Sequence, residues 1–213
     1  MSDVPDRHSP PPFDAGWWEE HYQAHAAPPD TPSAQLVAEV AGLAAGSALD
    51  AGCGRGADAL WLARQGWRVT AVDVSPTAVD KARELAEHHD ATVAARVSWV
   101  VADLTTWLPD ERYDLVVSQY VHPAMPFGEF VARLALAVAP DGTLLVVGHD
   151  HADEHSAAHA PAQASIGLDT VTGALSPRLW EVAVAESRTR HVEHGSTRTR
   201  MEDLVVRAHR KPE

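Results

Sequence analysis

The stretch Leu49-Asp50-Ala51-Gly52-Cys53-Gly54-Arg55-Gly56 decides the fold. It follows a short apolar strand, Ser47 to Asp50, and opens a helix running from about Ala57 to Gln65. Glycine has no Cβ, so backbone at these positions can adopt positive φ and pass close to a ligand. A turn of this kind between strand and helix sits at the carboxyl edge of an open parallel sheet, where such sheets bind their ligands.

Working outward, the chain alternates strand and helix. Arg68 to Asp73 reads as the second strand, and Ser75-Pro76 supplies an N-cap and a first helical residue for a helix to about His88. Val97 to Ala102 and Tyr113 to Ser118 follow as strands, then a helix from about Phe127 to Val138 and a fifth strand from Gly142 to Gly148. These strands are continuous apolar runs, the pattern of a parallel sheet covered on both faces. Repeated strand–helix–strand units imply right-handed crossovers and a doubly wound α/β sheet.

The flanks differ in character. Residues 1–32 form a Pro-rich leader without apolar periodicity, interrupted by the aromatic helical segment Trp17-Trp18-Glu19-Glu20-His21-Tyr22. Ser33 is placed to cap a helix to about Leu43, and residues 33–213 read as one domain. Residues 149–176, rich in His, Ala and Asp, read as a loop-like insertion. Leu179 to Glu186 and Glu202 to His209 read as an antiparallel hairpin at the sheet edge.

Composition narrows the partners. A formal charge of −13 over 213 residues opposes broad contact with nucleic acid, which needs clustered cations to neutralise phosphates. Arg188, Arg190, Arg198 and Arg200 cluster locally but read as one exposed strand face. The single cysteine, Cys53, excludes an intrachain disulfide. No apolar run approaches the roughly 20 residues that cross a bilayer, and the N-terminal stretch lacks a secretory pattern, so a cytoplasmic protein with a small-molecule partner is expected.

The ligand follows from spacing and charge. The glycines run G-x-G-x-G, unlike the G-x-G-x-x-G that seats a pyrophosphate, and no P-loop sequence is present. Asp50, two residues before the first glycine, would repel a diphosphate but suits a ligand carrying ammonium and sulfonium groups. Asp73, seventeen residues after Gly56, is placed to accept from ribose hydroxyls. Asp103 ends the third strand, where a carboxylate can accept from an exocyclic adenine amine while its neighbours wall the ring. Asp50 and Asp73 also have a plainer reading, as caps of the turns that follow them.

LDAGCGRG, VTAVDVS, VVADL, YDLVVS and APDGTLLVVG, in this order over about residues 34–148, resemble the class I S-adenosylmethionine-dependent methyltransferases. The resemblance implies a Rossmann-like seven-stranded sheet, mostly parallel with an antiparallel last strand, and S-adenosylmethionine as cofactor. Candidate cofactor contacts are Asp50, Gly52, Cys53, Gly54, Asp73, Val74, Asp103, Leu104 and Ser118. WWEEHY is similar to the small-molecule branch that includes tellurite-resistance and thiopurine methyltransferases. The family's DNA amino-methylating members carry [DNS]-P-P-[YFW] after the fourth strand, whereas SQYVHP stands here. The expected acceptor is therefore a small thiol, hydroxyl, halide or metalloid oxyanion.

His122, then His149, are the candidate base or substrate contact, and either equally suits a supporting role. Trp17, Trp18 and Tyr22 read as a substrate lid or as core anchors for the leader. Cys53 reads as a small residue in a tight turn in preference to a nucleophile. His149, His151, His155 and His159, with Asp150, Asp153 and Glu154, could ligate a metal, but their spacing matches no established site. Two other classes compete: a nicotinamide-dependent oxidoreductase, and a non-catalytic metal- or protein-binding module on the same fold.

Overall fold

The computed structural model describes residues 13–24, 31–150, 166–194 and 197–213, with backbone only for 191–194 and 197–199. The leader up to residue 12 and the segment holding His151, Asp153, Glu154, His155 and His159 lie outside the described residues. The strands are β1 (Ser47–Ala51), β2 (Arg68–Asp73), β3 (Val97–Val101), β4 (Tyr113–Gln119), β5 (Val138–His149), β6 (Trp180–His194) and β7 (Thr197–Arg210). The helices are α1 (Ala15–Ala24), α2 (Ala34–Val40), α3 (Ala57–Arg64), α4 (Pro76–Glu87), α5 (Ala91–Ala94), α6 (Phe127–Leu136) and α7 (Leu168–Gly173). The strands form one sheet in the order β3-β2-β1-β4-β5-β7-β6. The first five pair in parallel, and β7 runs antiparallel to both β5 and β6. Strand order reverses between β1 and β4, which opens a crevice at their carboxyl ends.

Side chains alternate across a strand, and here both faces are apolar. On one face Leu49, Val116, Leu144, Val146, Leu204 and Val206 pack with Phe130, Val131 and Leu134 of α6. On the other, Leu115, Val117, Leu145, Val147 and Val205 pack with Leu36 and Val40 of α2 and Leu60 and Leu62 of α3. Ser75 caps α4 as its sequence dictates, its Oγ accepting from the Ala78 N–H at 3.1 Å with Pro76 next in line. No described helix is long and apolar enough to cross a membrane.

Several local expectations are corrected. The Ser33 side chain makes no cap; its N–H instead donates to Asp58 Oδ1 at 2.7 Å, and α2 stops at Val40. The end of the 149–176 stretch is not loop-like: α7 lies there with Val171 fully buried, and the Ile166 N–H donates to the His149 carbonyl at 3.1 Å. The hairpin strands are much longer than read, at 15 and 14 residues. Their extra length turns Arg188 and Arg190 inward, away from an exposed face. Arg188 Nη2 meets Glu39 Oε1 at 2.6 Å, Arg207 Nε meets Glu39 Oε2 at 3.3 Å, and Arg190 Nε meets the fully buried Asp203 carboxylate at 2.9 Å. Buried carboxylates require such partners, and arginine's long stem carries its charge to them. Arg200, 69% exposed, is the one of the four whose described side chain lies on an open face.

Phe130 is fully buried between α6 and the sheet. Phe130→Ala is expected to cost about 3–5 kcal/mol in urea unfolding through lost burial and a residual cavity. Leu136→Ala on the same helix, at a side chain 63% exposed, should shift stability by less than about 0.5 kcal/mol.

Candidate functional site

The glycine turn is stitched to the end of β2. The Gly52 and Cys53 N–H groups both donate to the Val72 carbonyl, at 2.8 and 2.9 Å. Asp73 Oδ2 accepts from the Gly54 N–H at 2.9 Å, and its Oδ1 accepts from the Ser75 N–H at 3.0 Å. Burial pushes the Asp73 carboxyl up, and the backbone donors of Ser75, Gly54 and Val74 oppose the shift. All three glycines of the turn are sterically required, beginning with Gly52 (φ 90°), where a Cβ would lie 2.2 Å from Val121 Cγ2. At Gly56 (φ 86°) a Cβ would lie 2.6 Å from Trp99 Cη2, and at Gly54 (φ 51°) it would lie 2.9 Å from the Tyr22 hydroxyl.

A cavity of about 900 Å³ runs along the carboxyl edge of the sheet. Gly52, Cys53, Gly54, Asp73, Val74, Asp103 and Leu104 line it, all of them singled out from sequence. Asp50 and Ser118 do not. Asp50 is 3% exposed behind the turn, its carboxyl pushed well up by burial and then by Asp58 and Asp73, and its Oδ2 has no hydrogen-bond partner. Ser118 is 2% exposed, and the strand's two-residue period puts the next side chain, Gln119, on the cavity instead. The expected convergence of Asp50, Asp73 and Asp103 is thus corrected. Asp73 and Asp103 reach the cavity, with Asp103 Oδ1 committed to the Thr105 N–H and hydroxyl at 2.8 and 2.7 Å. Asp14, Glu84, Asp203 and Asp58 line it as well, and of these Asp58 stands nearest the glycine turn in sequence. Its position in the first turn of α3, two residues past Gly56, was the available signal.

The aromatic segment forms α1, started by Asp14 Oδ1 accepting from the Trp17 N–H at 2.9 Å. Glu19 fastens it to the start of α4. Its carboxylate accepts from the Ser75 and Thr77 hydroxyls, each at 2.5 Å, and from the Thr77 N–H at 3.2 Å. These donors, Ser75 first and Thr77 next, hold the Glu19 carboxyl down at about 2. Trp18 and Tyr22 consequently line the cavity, and Arg55 Nη2 donates to the Tyr22 carbonyl at 3.0 Å. Trp17 does not line it, but packs edge-on against Trp18 at 4.8 Å and Phe13 at 5.0 Å between ring centroids. No sequence pattern marked Glu19.

The far end begins at Tyr120, whose φ of 54° is strained for a side chain of this size. Its hydroxyl donates to Asp203 Oδ2 at 2.9 Å, and the Arg190 guanidinium lies 5.4 Å from its ring centroid. Neither Asp203 nor Arg190 was singled out from sequence, because they meet Tyr120 only through the sheet. His122 lines the cavity, with Trp18 Nε1 donating to its carbonyl at 3.4 Å. Burial, then His149, lowers the His122 imidazole to about 4. His149 does not line the cavity. Its ring stands 4.9 Å from that of Tyr120 and 6.3 Å from that of His122. Burial pushes the Cys53 thiol up, with Asp50 adding to the shift, and its Sγ donates to the Gly54 carbonyl at 3.7 Å. An un-ionised thiol filling a turn is not an activated nucleophile. Among the described residues, no three His, Cys, Asp or Glu side chains group as metal ligands.

Comparison with known proteins agrees with this geometry. A family model described as a methyltransferase domain matches residues 48–142. The chain is 29% identical over 140 residues to probable thiol methyltransferase 2 of Arabidopsis thaliana, covering 62% of this chain and 61% of that protein. It is 30% identical over 158 residues to trans-aconitate 2-methyltransferase of Methylobacterium radiotolerans, covering 70% of this chain and 58% of that protein. The chain therefore spans about three fifths of the length of these relatives. A solved structure described for conversion of a disulfide bond into a thioacetal group during echinomycin biosynthesis superposes with a TM-score of 0.67 at 25% identity, covering 92% of each chain. In sheet order, glycine turn, β2-terminal acid and these likenesses together, the chain resembles the class I S-adenosylmethionine-dependent methyltransferases, with residues 48–142 matching a methyltransferase domain.

Proposed function

We propose that this chain transfers a methyl group from S-adenosylmethionine to a small acceptor, and that the acceptor is a thiol that has already given its proton to solvent and reacts as the thiolate, or another nucleophile with no proton left to lose. The observation that carries the reading is the Asp73 carboxylate, held at the cavity wall by the backbone donors of Gly54, Val74 and Ser75. A carboxylate has about four lone-pair sites, so beside these donors its oxygens retain acceptor capacity, which suits the two vicinal hydroxyls of a ribose. Val74, Ala102 and Leu104 line the adjoining wall and would flank an adenine, with Asp103 accepting from its amine through the oxygen not given to Thr105. The cavity's 900 Å³ falls within the usual range for small-molecule sites.

When bound, the cofactor supplies a methyl carbon already activated by positive sulfur. The chain's own work is to align the acceptor and exclude water, which α1 does by covering the cavity with Trp18 and Tyr22. His122 is a poor base: with its imidazole held at about 4 it is neutral at pH 7 and binds protons weakly. We assign it to the wall of the acceptor pocket, with His149 and Tyr120 packed behind it. An acceptor that needs no base then fits best, and the thiol methyltransferase relative supports a sulfur nucleophile. The net charge of −13 supports a small acceptor over a nucleic acid.

Three measurements test this. A transfer screen with labelled methyl groups should show small thiols methylated ahead of phenols and alcohols; transfer to phenols alone would remove the thiol assignment. Asp73→Ala should raise the Kd for S-adenosylhomocysteine on the order of 10- to 100-fold by calorimetry, and an unchanged Kd would remove the role given to Asp73. His122→Phe should lower kcat by less than about tenfold, whereas a loss of about 10²–10⁴ would identify His122 as a base after all.

A further inference from the structure

The β6–β7 hairpin runs past the end of β5. The last residue of β5, His149, stands opposite Asp203, and further along the hairpin Arg190 of β6 stands opposite Met201. This overhang brings Arg190 onto the wall of the cavity, where Tyr120, His122 and Gln35 also lie. It gives the hairpin's unexpected length a consequence for the site.

The surrounding groups decide what Arg190 can bind. Asp203 touches the same wall but has no exposed surface, and its carboxylate is met by three donors. These are Arg190 Nε at 2.9 Å, the Tyr120 hydroxyl at 2.9 Å and Gln35 Nε2 at 3.3 Å. The acid is therefore spent inside the protein, while the Arg190 side chain remains 30% exposed. A guanidinium carries five N–H donors in a fixed planar fork. Nε gives its one to Asp203, and the Tyr120 ring lies 5.4 Å from the cation. Even with a further bond to the Tyr120 oxygen, the terminal nitrogens keep N–H groups to offer. Among the described residues, Asp203 is the one carboxylate within ion-pair distance of Arg190. His122, with its imidazole held at about 4, is neutral and adds no second charge. The complement to such a fork is a planar anion taken through two parallel hydrogen bonds.

We propose that Arg190 is a specificity residue for the acceptor and binds a carboxylate that the acceptor carries away from its reacting atom. The inference rests on the methyl-transfer reading above and narrows its acceptor class to small thiols that also bear a carboxylate. That carboxylate takes no part in the transfer. Held by the guanidinium, it fixes where the sulfur stands, which is the alignment that an in-line displacement needs. Asp203 is then a positioning residue, since its bond to Nε sets the plane in which the fork lies.

The test compares acceptors in matched pairs: 3-mercaptopropionate with 3-mercaptopropionamide, and 4-hydroxybenzoate with 4-hydroxybenzamide. With the unaltered protein, kcat/KM should be about 10- to 100-fold higher for the carboxylate than for its amide, chiefly through KM. Arg190→Gln should bring the two members of the pair within about threefold, and should leave the Kd for S-adenosylhomocysteine within about threefold. Arg190→Lys keeps a cation beside Asp203 but loses the fork, so it serves if Arg190→Gln does not fold and should retain only part of the preference. Equal loss on carboxylate and amide would show that Arg190 only neutralises Asp203, and would overturn the proposal. An unaltered protein that binds S-adenosylhomocysteine but shows no preference for the carboxylate, or methylates none of the four compounds, would overturn it too. A preference confined to the phenol pair would remove the thiol assignment and uphold the role of Arg190. If the unaltered protein did not bind S-adenosylhomocysteine, the methyl-transfer reading would fall first, and this subsite with it.

Discussion

The Asp73 carboxylate is the fastening on which the site depends. One of its oxygens takes the Gly54 N–H and the other takes the Ser75 N–H, so a single side chain joins the turn after β1 to the start of α4. The Val72 carbonyl, accepting from Gly52 and Cys53, adds a second tie one residue earlier. Two parallel strands deliver these groups side by side because β1 and β2 are hydrogen-bonded in register, Ala51 opposite Val72. A carboxylate held by the backbone donors of Gly54, Val74 and Ser75 is oriented before any ligand arrives.

The same end of α4 also anchors the cover of the cavity. Ser75 does double duty: its hydroxyl accepts from the Ala78 N–H to cap the helix and donates to Glu19 of α1. Helix α1 is therefore referenced to the same residues that orient Asp73, and the positions of both on the cavity are set by one short stretch of backbone.

At the opposite end, the geometry comes from β6 and β7. Asp203 is fully buried and accepts from Tyr120, Arg190 and Gln35, drawing in β4, β6 and α2. Removing any one donor would leave a buried charge under-compensated, which is how such clusters impose one arrangement at some cost in stability. Tyr120 is held here with a strained backbone, at the strand end that borders the cavity.

Much of this was legible in the chain itself. The continuous apolar runs, the glycine spacing and Ser75-Pro76 are local signals, and they yielded the alternation of elements, the turn and the acid at the end of β2. Local propensity also explains the errors. Ser33 had the chemistry of a cap, yet Asp58 claimed its N–H from across the fold. Arg188 and Arg190 had the look of a solvated strand, yet Glu39 and Asp203 drew them inward. Sequence alone placed Asp50, Asp73 and Asp103 at or within two residues of the ends of successive strands. Only the tertiary structure decided which acids face the cavity, since the path of the turn buries Asp50 behind it and lifts Asp58 onto the wall. The reason is physical: backbone spacing is encoded residue by residue, whereas the direction in which a side chain finds water, partner or ligand is set by elements that meet it from elsewhere in the chain.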